Sequence, residues 1–165
     1  MAVYTKTGDR GMTGTFSGER ILKSSKLINA IGAIDELNSY LGIIGNLTEI
    51  QRNLFTINSI LSGANLKFSK EFIKELEKEI DAMEGKLPVL SNFIIYSGCK
   101  KSRDLYFARA LVRRAERSLV TYYYKSQTTN HEPLVFLNRL SDYLFTLARY
   151  TNFKKNIKEK VWKIE

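Results

Sequence analysis

Only two prolines, Pro88 and Pro133, punctuate the 165 residues. Proline removes a backbone donor and breaks helices, so a chain this poor in it leaves long stretches free to be helical. Apolar side chains recur through those stretches at steps of three and four. Leu27, Ile31, Ile34, Leu37, Leu41 and Ile44 predict a first helix over roughly 25–46, with Gly32, Gly42 and Gly45 inside it. Interior glycines cost about 1 kcal/mol each against alanine, so they point to close helix contacts or the approach of a ligand. Thr48 and Gln51 form a capping-box pattern for a second helix over 48–63, carrying Ile50, Leu54, Ile57 and Leu61. A charged third helix carries Phe72, Leu76, Ile80 and Met83 and stops at Gly85 and Pro88. The fourth is predicted over about 100–126, and the fifth opens at Pro133 and runs to about 153. Between the third and fourth lies SNFIIYSG, 91–98, an apolar stretch too short for a helix of its own. The expected fold is all-α, an up-and-down five-helix bundle.

The first 20 residues break the pattern. YTKTGDRGMTGTFSGER sets Gly8, Gly11, Gly14 and Gly18 among Thr, Ser and charged residues, which reads as a glycine-rich loop with a short hairpin. The whole of 1–165 is expected to be one domain: the loop to residue 23, the bundle over about 24–154, and a basic tail over 155–165 that frays.

Composition narrows the function. Lys and Arg outnumber Asp and Glu by 26 to 17, a formal charge of +9, which implies an anionic partner or merely solubility. No apolar run reaches the ~20 residues of a membrane helix, and MAVYTKTGD has no apolar signal core. A single cysteine, Cys99, excludes an internal disulfide and fits a reducing cytoplasm. With His131 as the only histidine, a structural zinc site is excluded too.

Two segments carry anion chemistry. Arg109, Arg113 and Arg117 recur every fourth residue of the fourth helix and so share a face, with Arg114 and Glu116 beside them. Such a row is either a solvated basic face or an anion site, because a guanidinium fork matches phosphate oxygens in pairs. Gly8, Gly11 and Gly14 let backbone N–H groups curl around an oxyanion, with Lys6 and Lys23 as point charges. Neither a P-loop nor a dinucleotide fingerprint is present, so by pattern alone this segment is equally a plain turn-rich loop. The fifth helix adds Asn138, Arg139, Asp142 and Arg149; the first adds Asp35 and Glu36; Tyr122–Tyr124 with Lys125 suit core or interface packing.

Three blocks, in order, resemble the PduO-type ATP:cob(I)alamin adenosyltransferases. They are TKTGDRGMTGTFSGER at 5–20 with AIDELNSYLG at 33–42, ARALVRRAER at 108–117, and FLNRLSDYLFTLARYTN at 136–152. The resemblance spans nearly the whole chain apart from the last dozen residues. It implies five long helices assembled as a homotrimer, with active sites between subunits. It also implies transfer of the 5′-deoxyadenosyl group of ATP to cob(I)alamin, giving adenosylcobalamin and triphosphate. A catalytically inactive ATP- or corrinoid-binding regulator on the same scaffold is the alternative, and a basic helical nucleic-acid binder is set aside.

By that resemblance, Thr5, Lys6, Thr7, Gly8, Thr13, Gly14 and Lys23 hold ATP from one subunit, and Arg113, Arg114, Glu116, Arg117 and Asn138 complete the site from its neighbour. Asp35 and Arg109 resemble the family's inter-subunit ion pair beside the cobalamin, and Phe93 its aromatic over the lower corrin face. Arg113, Glu116, Asp35, Arg109 and Phe93 are thus the expected catalytic set. Mg²⁺ is expected mainly on the ATP phosphates, with no certain protein ligand, and a reductase and a B12-dependent enzyme are expected transient partners. No nucleic acid and no membrane are expected. The chain departs from the family in reading FIIYSG, with Tyr96 and Ser97, where FILPGG is usual. Tyr106 stands where a histidine is common, and Gly14 where Thr or Ser is also usual.

Overall fold

The computed structural model describes residues 4–126 and 130–163; residues 1–3 and 164–165 of the expected domain lie outside the described residues. Five helices carry the chain: α1 (Lys26–Ile44), α2 (Thr48–Leu61), α3 (Glu71–Glu84), α4 (Lys100–Ser126) and α5 (Glu132–Lys154). The all-α expectation is met, with two small ribbons added. Strands β1 (Met12–Gly14) and β2 (Arg20–Leu22) form the N-terminal hairpin, and β3 (Ile94–Ile95) pairs antiparallel with β4 (Lys160–Val161).

Helix α1 packs on α2 and α4, α4 on α5, and α5 on α3. The apolar stripes meet in one continuous core, with Ile34, Leu37, Leu41, Leu54, Ile57, Leu105, Leu119, Phe136, Leu140 and Leu144 fully buried. Burying a side chain of this size stabilises the fold by about 1.5–3 kcal/mol, which is why the periodic positions dictate the packing.

Three local expectations need correction. Helix α1 stops at Ile44 rather than 46, because Gly45 takes φ 74 as its C-cap and its N–H returns to the Leu41 carbonyl. The capping box at Thr48 is not made. The N-cap of α2 is Leu47, without a side-chain bond, and Gln51 instead donates from Nε2 to the Asn38 carbonyl of α1 at 3.0 Å. Gln51 therefore spends its amide joining two helices. Nor does the tail fray over its described residues, 155–163. Its β4 pairs with β3, and Glu159 binds the buried Arg149 at 2.6 and 3.1 Å. Arg149 also donates to the Pro88 carbonyl at 2.9 Å, so one guanidinium ties α5, the loop after α3 and the tail together.

A second tie holds the segment before α4. Asn152, 3% exposed, accepts from the Cys99 N–H at 3.2 Å and donates to the Ser97 carbonyl at 2.9 Å. Gly98 between them sits at φ 117, directly against the Asn152 carboxamide.

Candidate nucleotide and corrinoid site

The glycine-rich loop is folded and docked. Ser17 donates its N–H to the Ser62 carbonyl at the end of α2 at 3.1 Å, and Lys23 donates to the Gly11 carbonyl at 2.9 Å. The φ of 97 at Gly63 belongs to the same junction, since a Cβ there would press on Ser17. Lys6 is itself held at φ 59, an unusual setting for a side-chain-bearing residue. The Lys23 ammonium comes so near Gly8 that a Cβ on Gly8 would lie 3.2 Å from it.

This docking encloses a cavity of ≈ 380 Å³ whose walls include Thr13, Gly14, Lys23, Gly32, Asp35 and Asn58. Four of the expected site residues, Thr13, Gly14, Lys23 and Asp35, are thereby brought together. Gly32 has nothing within 4 Å of the place where its Cβ would stand, so its smoothness faces open space and not a neighbouring helix. Thr5, Lys6 and Thr7 are exposed just upstream, Thr5 and Thr7 sharing a hydroxyl hydrogen bond of 2.9 Å. Asn58 was not foreseen. Its amide N–H donates to the Ile31 carbonyl at 3.3 Å, leaving Oδ1 buried without a partner. A lone asparagine on an apolar helix carries no motif by which the sequence could announce it.

The second half of the expected site lies elsewhere in the chain. None of Arg113, Glu116, Arg117 and Asn138 lines that cavity. Arg113 and Arg117 are exposed on α4, with Arg117 donating to the Arg113 carbonyl at 3.0 Å. Asn138 on α5 donates to the Glu116 carboxylate at 3.1 Å, so the acid orients an amide. Among the described residues Lys23, Arg113 and Arg117 have no carboxylate partner, whereas Arg139 pairs with Glu77 and Asp142, and Arg149 with Glu159. Arg114 differs from its helix neighbours: it pairs with Glu36 of α1 within the same chain, beside a second cavity lined by Lys26, Asn29, Gly32 and Ser118. At the rim of α1 the Lys26 pKa is lowered by burial, then by Lys125.

Of the residues expected on the corrinoid side, Arg109 stands in an aromatic corner. Arg109 donates to the Tyr96 hydroxyl at 3.0 Å and lies 5.7 Å from the Tyr96 ring centre and 5.4 Å from that of Phe145. Asp35 is exposed on α1 and does not pair with Arg109 within the chain. The departures Tyr96 and Tyr106 prove to be partners, stacked with centroids 4.7 Å apart at 20°. Burial, and then the Glu159 carboxylate, push the Tyr106 phenol up to about 12. Phe93 is 80% exposed beside β3, its ring edge-on to Trp162.

The bundle offers a folded glycine loop with Lys23 at its cavity, Arg113 and Arg117 exposed on α4 outside that cavity, and exposed aromatics before α4. Such features suit a helical protein that handles an anionic ligand. A model of the cobalamin adenosyltransferase family matches residues 3–151, and the chain belongs to that family. The corrinoid adenosyltransferase MMAB of Bos taurus is 42% identical, covering 98% of this chain and 76% of that protein. The corrinoid adenosyltransferase of Bacillus subtilis is 37% identical over 95% of this chain and 90% of its own. Among solved structures, a variant PduO-type ATP:corrinoid adenosyltransferase from Lactobacillus reuteri, complexed with cobalamin and ATP, matches with a TM-score of 0.92 at 30% identity. That match covers 99% of this chain and 100% of the other.

Proposed function

We propose that this protein transfers the 5′-deoxyadenosyl group of ATP to cob(I)alamin. The observation that carries the reading is the docked loop, which sets Thr13, Gly14 and Lys23 around one cavity with Asp35 in a chain of this family. The cobalt(I) electron pair attacks C5′, the C5′–O bond breaks, and triphosphate leaves with that bond's electrons. The attacking atom needs no activation by a base. That accords with a chain having one histidine, one cysteine and no triad. What remains for the protein is positioning and electrostatics.

Each group then has a task. The backbone of Thr5–Gly8 and the Lys6 and Lys23 ammoniums hold the triphosphate. Arg113 and Arg117 complete that grip through charge-assisted hydrogen bonds, which are about twice as strong as neutral ones. Glu116 keeps the Asn138 amide aimed, and Arg114 stiffens the α1–α4 edge of the nucleotide site through Glu36. Phe93 lies under the corrin ring, where an apolar face excludes water and any lower ligand. Asp35 and Arg109 pair across subunits beside the corrin.

Loop-side and arginine-side groups line no common cavity within one chain, which accords with an oligomer; in this reading, with the homotrimer that the family resemblance implies, a neighbour's α4 and α5 bring the second set. Sedimentation near three times 19.0 kDa is the expected result, and a fully active monomer would contradict the assignment. Mg²⁺ enters this reading as an ion carried by the substrate, since it ordinarily combines substrate phosphates with few protein ligands. Such an ion supplies charge neutralisation of the leaving group. Among the described residues no helix is long and apolar enough to cross a membrane; the cytoplasm, a reductase and a B12-dependent acceptor enzyme complete the proposal.

The test is anaerobic incubation with ATP and chemically reduced cobalamin. Adenosylcobalamin and triphosphate should form in equal amounts. Release of phosphate or diphosphate without an adenosylated corrinoid would overturn the reading.

A further inference from the structure

The only tryptophan in the chain, Trp162, stands in the basic tail, where no core claims it. Its position is nevertheless firmly set. The Trp162 N–H donates to the Phe93 carbonyl at 2.8 Å, extending the β3–β4 ribbon. Three residues upstream, Glu159 is clamped on Arg149, whose side chain is only 5% exposed. An ion pair on a buried arginine thus anchors an indole that is itself 50% exposed. The Phe93 and Trp162 rings meet at 75° with centroids 6.4 Å apart. They form one side of an open surface groove of ≈ 760 Å³ completed by the exposed Leu90, Ser91, Asn92 and Lys163. Aromatic faces, one apolar wall, two small polar groups and a terminal cation make a site for a flat base carrying a negative charge.

We propose that Trp162 and Lys163 form a subsite for the lower nucleotide of cobalamin, its benzimidazole base and phosphodiester, after that base has left the cobalt. The proposal rests on the reading of Phe93 as the group beneath the corrin. If Phe93 covers the cobalt, the detached base must go elsewhere, yet its tether keeps it near the ring. A tethered group meets an adjacent pocket at high effective concentration, so even a shallow site fills. Base-on-aromatic stacking tolerates any flat heterocycle, and the exposed indole offers such a face. The Lys163 ammonium matches the single charge of the phosphodiester. Ser91 and Asn92 supply hydrogen-bonding groups for its ribose. Phe93 displaces the base, and Trp162 retains it.

Cob(I)alamin and cob(I)inamide provide the discriminating pair, since neither has a lower ligand on cobalt and only the first carries the nucleotide. Both are prepared with the same chemical reductant and assayed with saturating ATP. Trp162→Ala should raise KM for cob(I)alamin about tenfold, the scale of one lost stack, with KM for cob(I)inamide unchanged. Trp162→Phe should restore most of the loss. Lys163→Gln, which keeps both rings, should also raise KM for cob(I)alamin alone. An equal shift on both corrinoids in either variant would mean that these residues serve only Phe93 or the fold, and would overturn the subsite. So would the absence of a shift on either. Failure of the parent to adenosylate either corrinoid removes the proposed function itself, a different result from loss of selectivity.

Discussion

Replacing Gly98 by alanine tests whether the segment bearing Phe93 is set by one side chain of α5. The backbone at Gly98 has φ 117, a setting that L residues rarely adopt, and forcing alanine there costs about 1–2 kcal/mol. The new methyl would also land inside the carboxamide of Asn152. Asn152 is buried and bonded to the Cys99 N–H and the Ser97 carbonyl, at 3.2 and 2.9 Å. It cannot retreat without releasing both. Each buried group left without a partner costs about 1 kcal/mol or more, so the whole change should cost about 3–4 kcal/mol. Against the 5–15 kcal/mol typical of a domain, that is a large fraction.

Equilibrium urea denaturation at one fixed protein concentration measures the cost, with an unchanged slope expected. A double-mutant cycle isolates the collision. In an Asn152→Ala background the carboxamide is absent, so Gly98→Ala should cost only the backbone share of about 1–2 kcal/mol. The two changes should therefore be less than additive, by roughly 2 kcal/mol. A loss below 1 kcal/mol for Gly98→Ala, or simple additivity, would refute the reasoning. The reading that Asn152 positions the segment before α4 would then fall with it.

Three further outcomes are expected. Arg113→Lys keeps the charge but loses the bidentate fork, so kcat/KM for ATP should fall tenfold or more; full turnover would make Arg113 mere surface charge. Phe93→Ala should leave ATP binding and the trimer intact while lowering turnover from Co(II), because water regains the lower face. Spectra of bound Co(II)alamin with ATP decide this, and as much four-coordinate cobalt as in the parent would exclude the role. Alkali should destabilise the fold early. Burial raises the Tyr106 and Tyr123 phenols from 10.0 to about 12, so the folded state holds protons that the unfolded chain has released. Their contribution is complete below pH 10 and is lost as pH rises to 12, at up to about 1.4 kcal/mol per pH unit for each phenol. A Tm flat across that window would contradict the burial of both groups.

Much of the bundle is legible in the sequence because its elements are local. Helix α4 covers Lys100–Ser126 as its periodicity predicts, and Pro133 falls in the first turn of α5. What escapes a local reading is whatever depends on residues far apart. KKNIKEK has no strand alternation, so its tail looks free. The ribbon exists because Ile94 and Ile95 offer an edge and because Arg149, ten residues upstream of Glu159, supplies a buried counter-charge. Likewise Tyr96 and Tyr106 look like unrelated departures until the turn at Gly98 stacks one on the other. The proposed nucleotide half-site is legible as motif, but its meaning is not local either, since Arg113 and Lys23 find no common cavity within one chain.

That separation also bears on how the reaction would be controlled. A half-site that holds cations apart from their ligand pays no penalty for burying unpaired charge, because Arg113 and Arg117 remain exposed. In the proposed trimer the penalty would arise only as a neighbour's loop closes over them, and the triphosphate would then provide the missing counter-charge. Assembly and ATP binding should therefore reinforce each other. The corrin side is organised differently, with Arg109 already lodged between Tyr96 and Phe145 and the Tyr96 hydroxyl already satisfied. An aromatic corner that is complete before ligand arrives favours a flat apolar partner, whereas a cationic face left open favours a highly charged one. Helix α4 joins the two surfaces, with Arg109 in the aromatic corner and Arg113 on the cationic face a single turn apart; in the proposed reaction the first would face the corrin and the second the triphosphate.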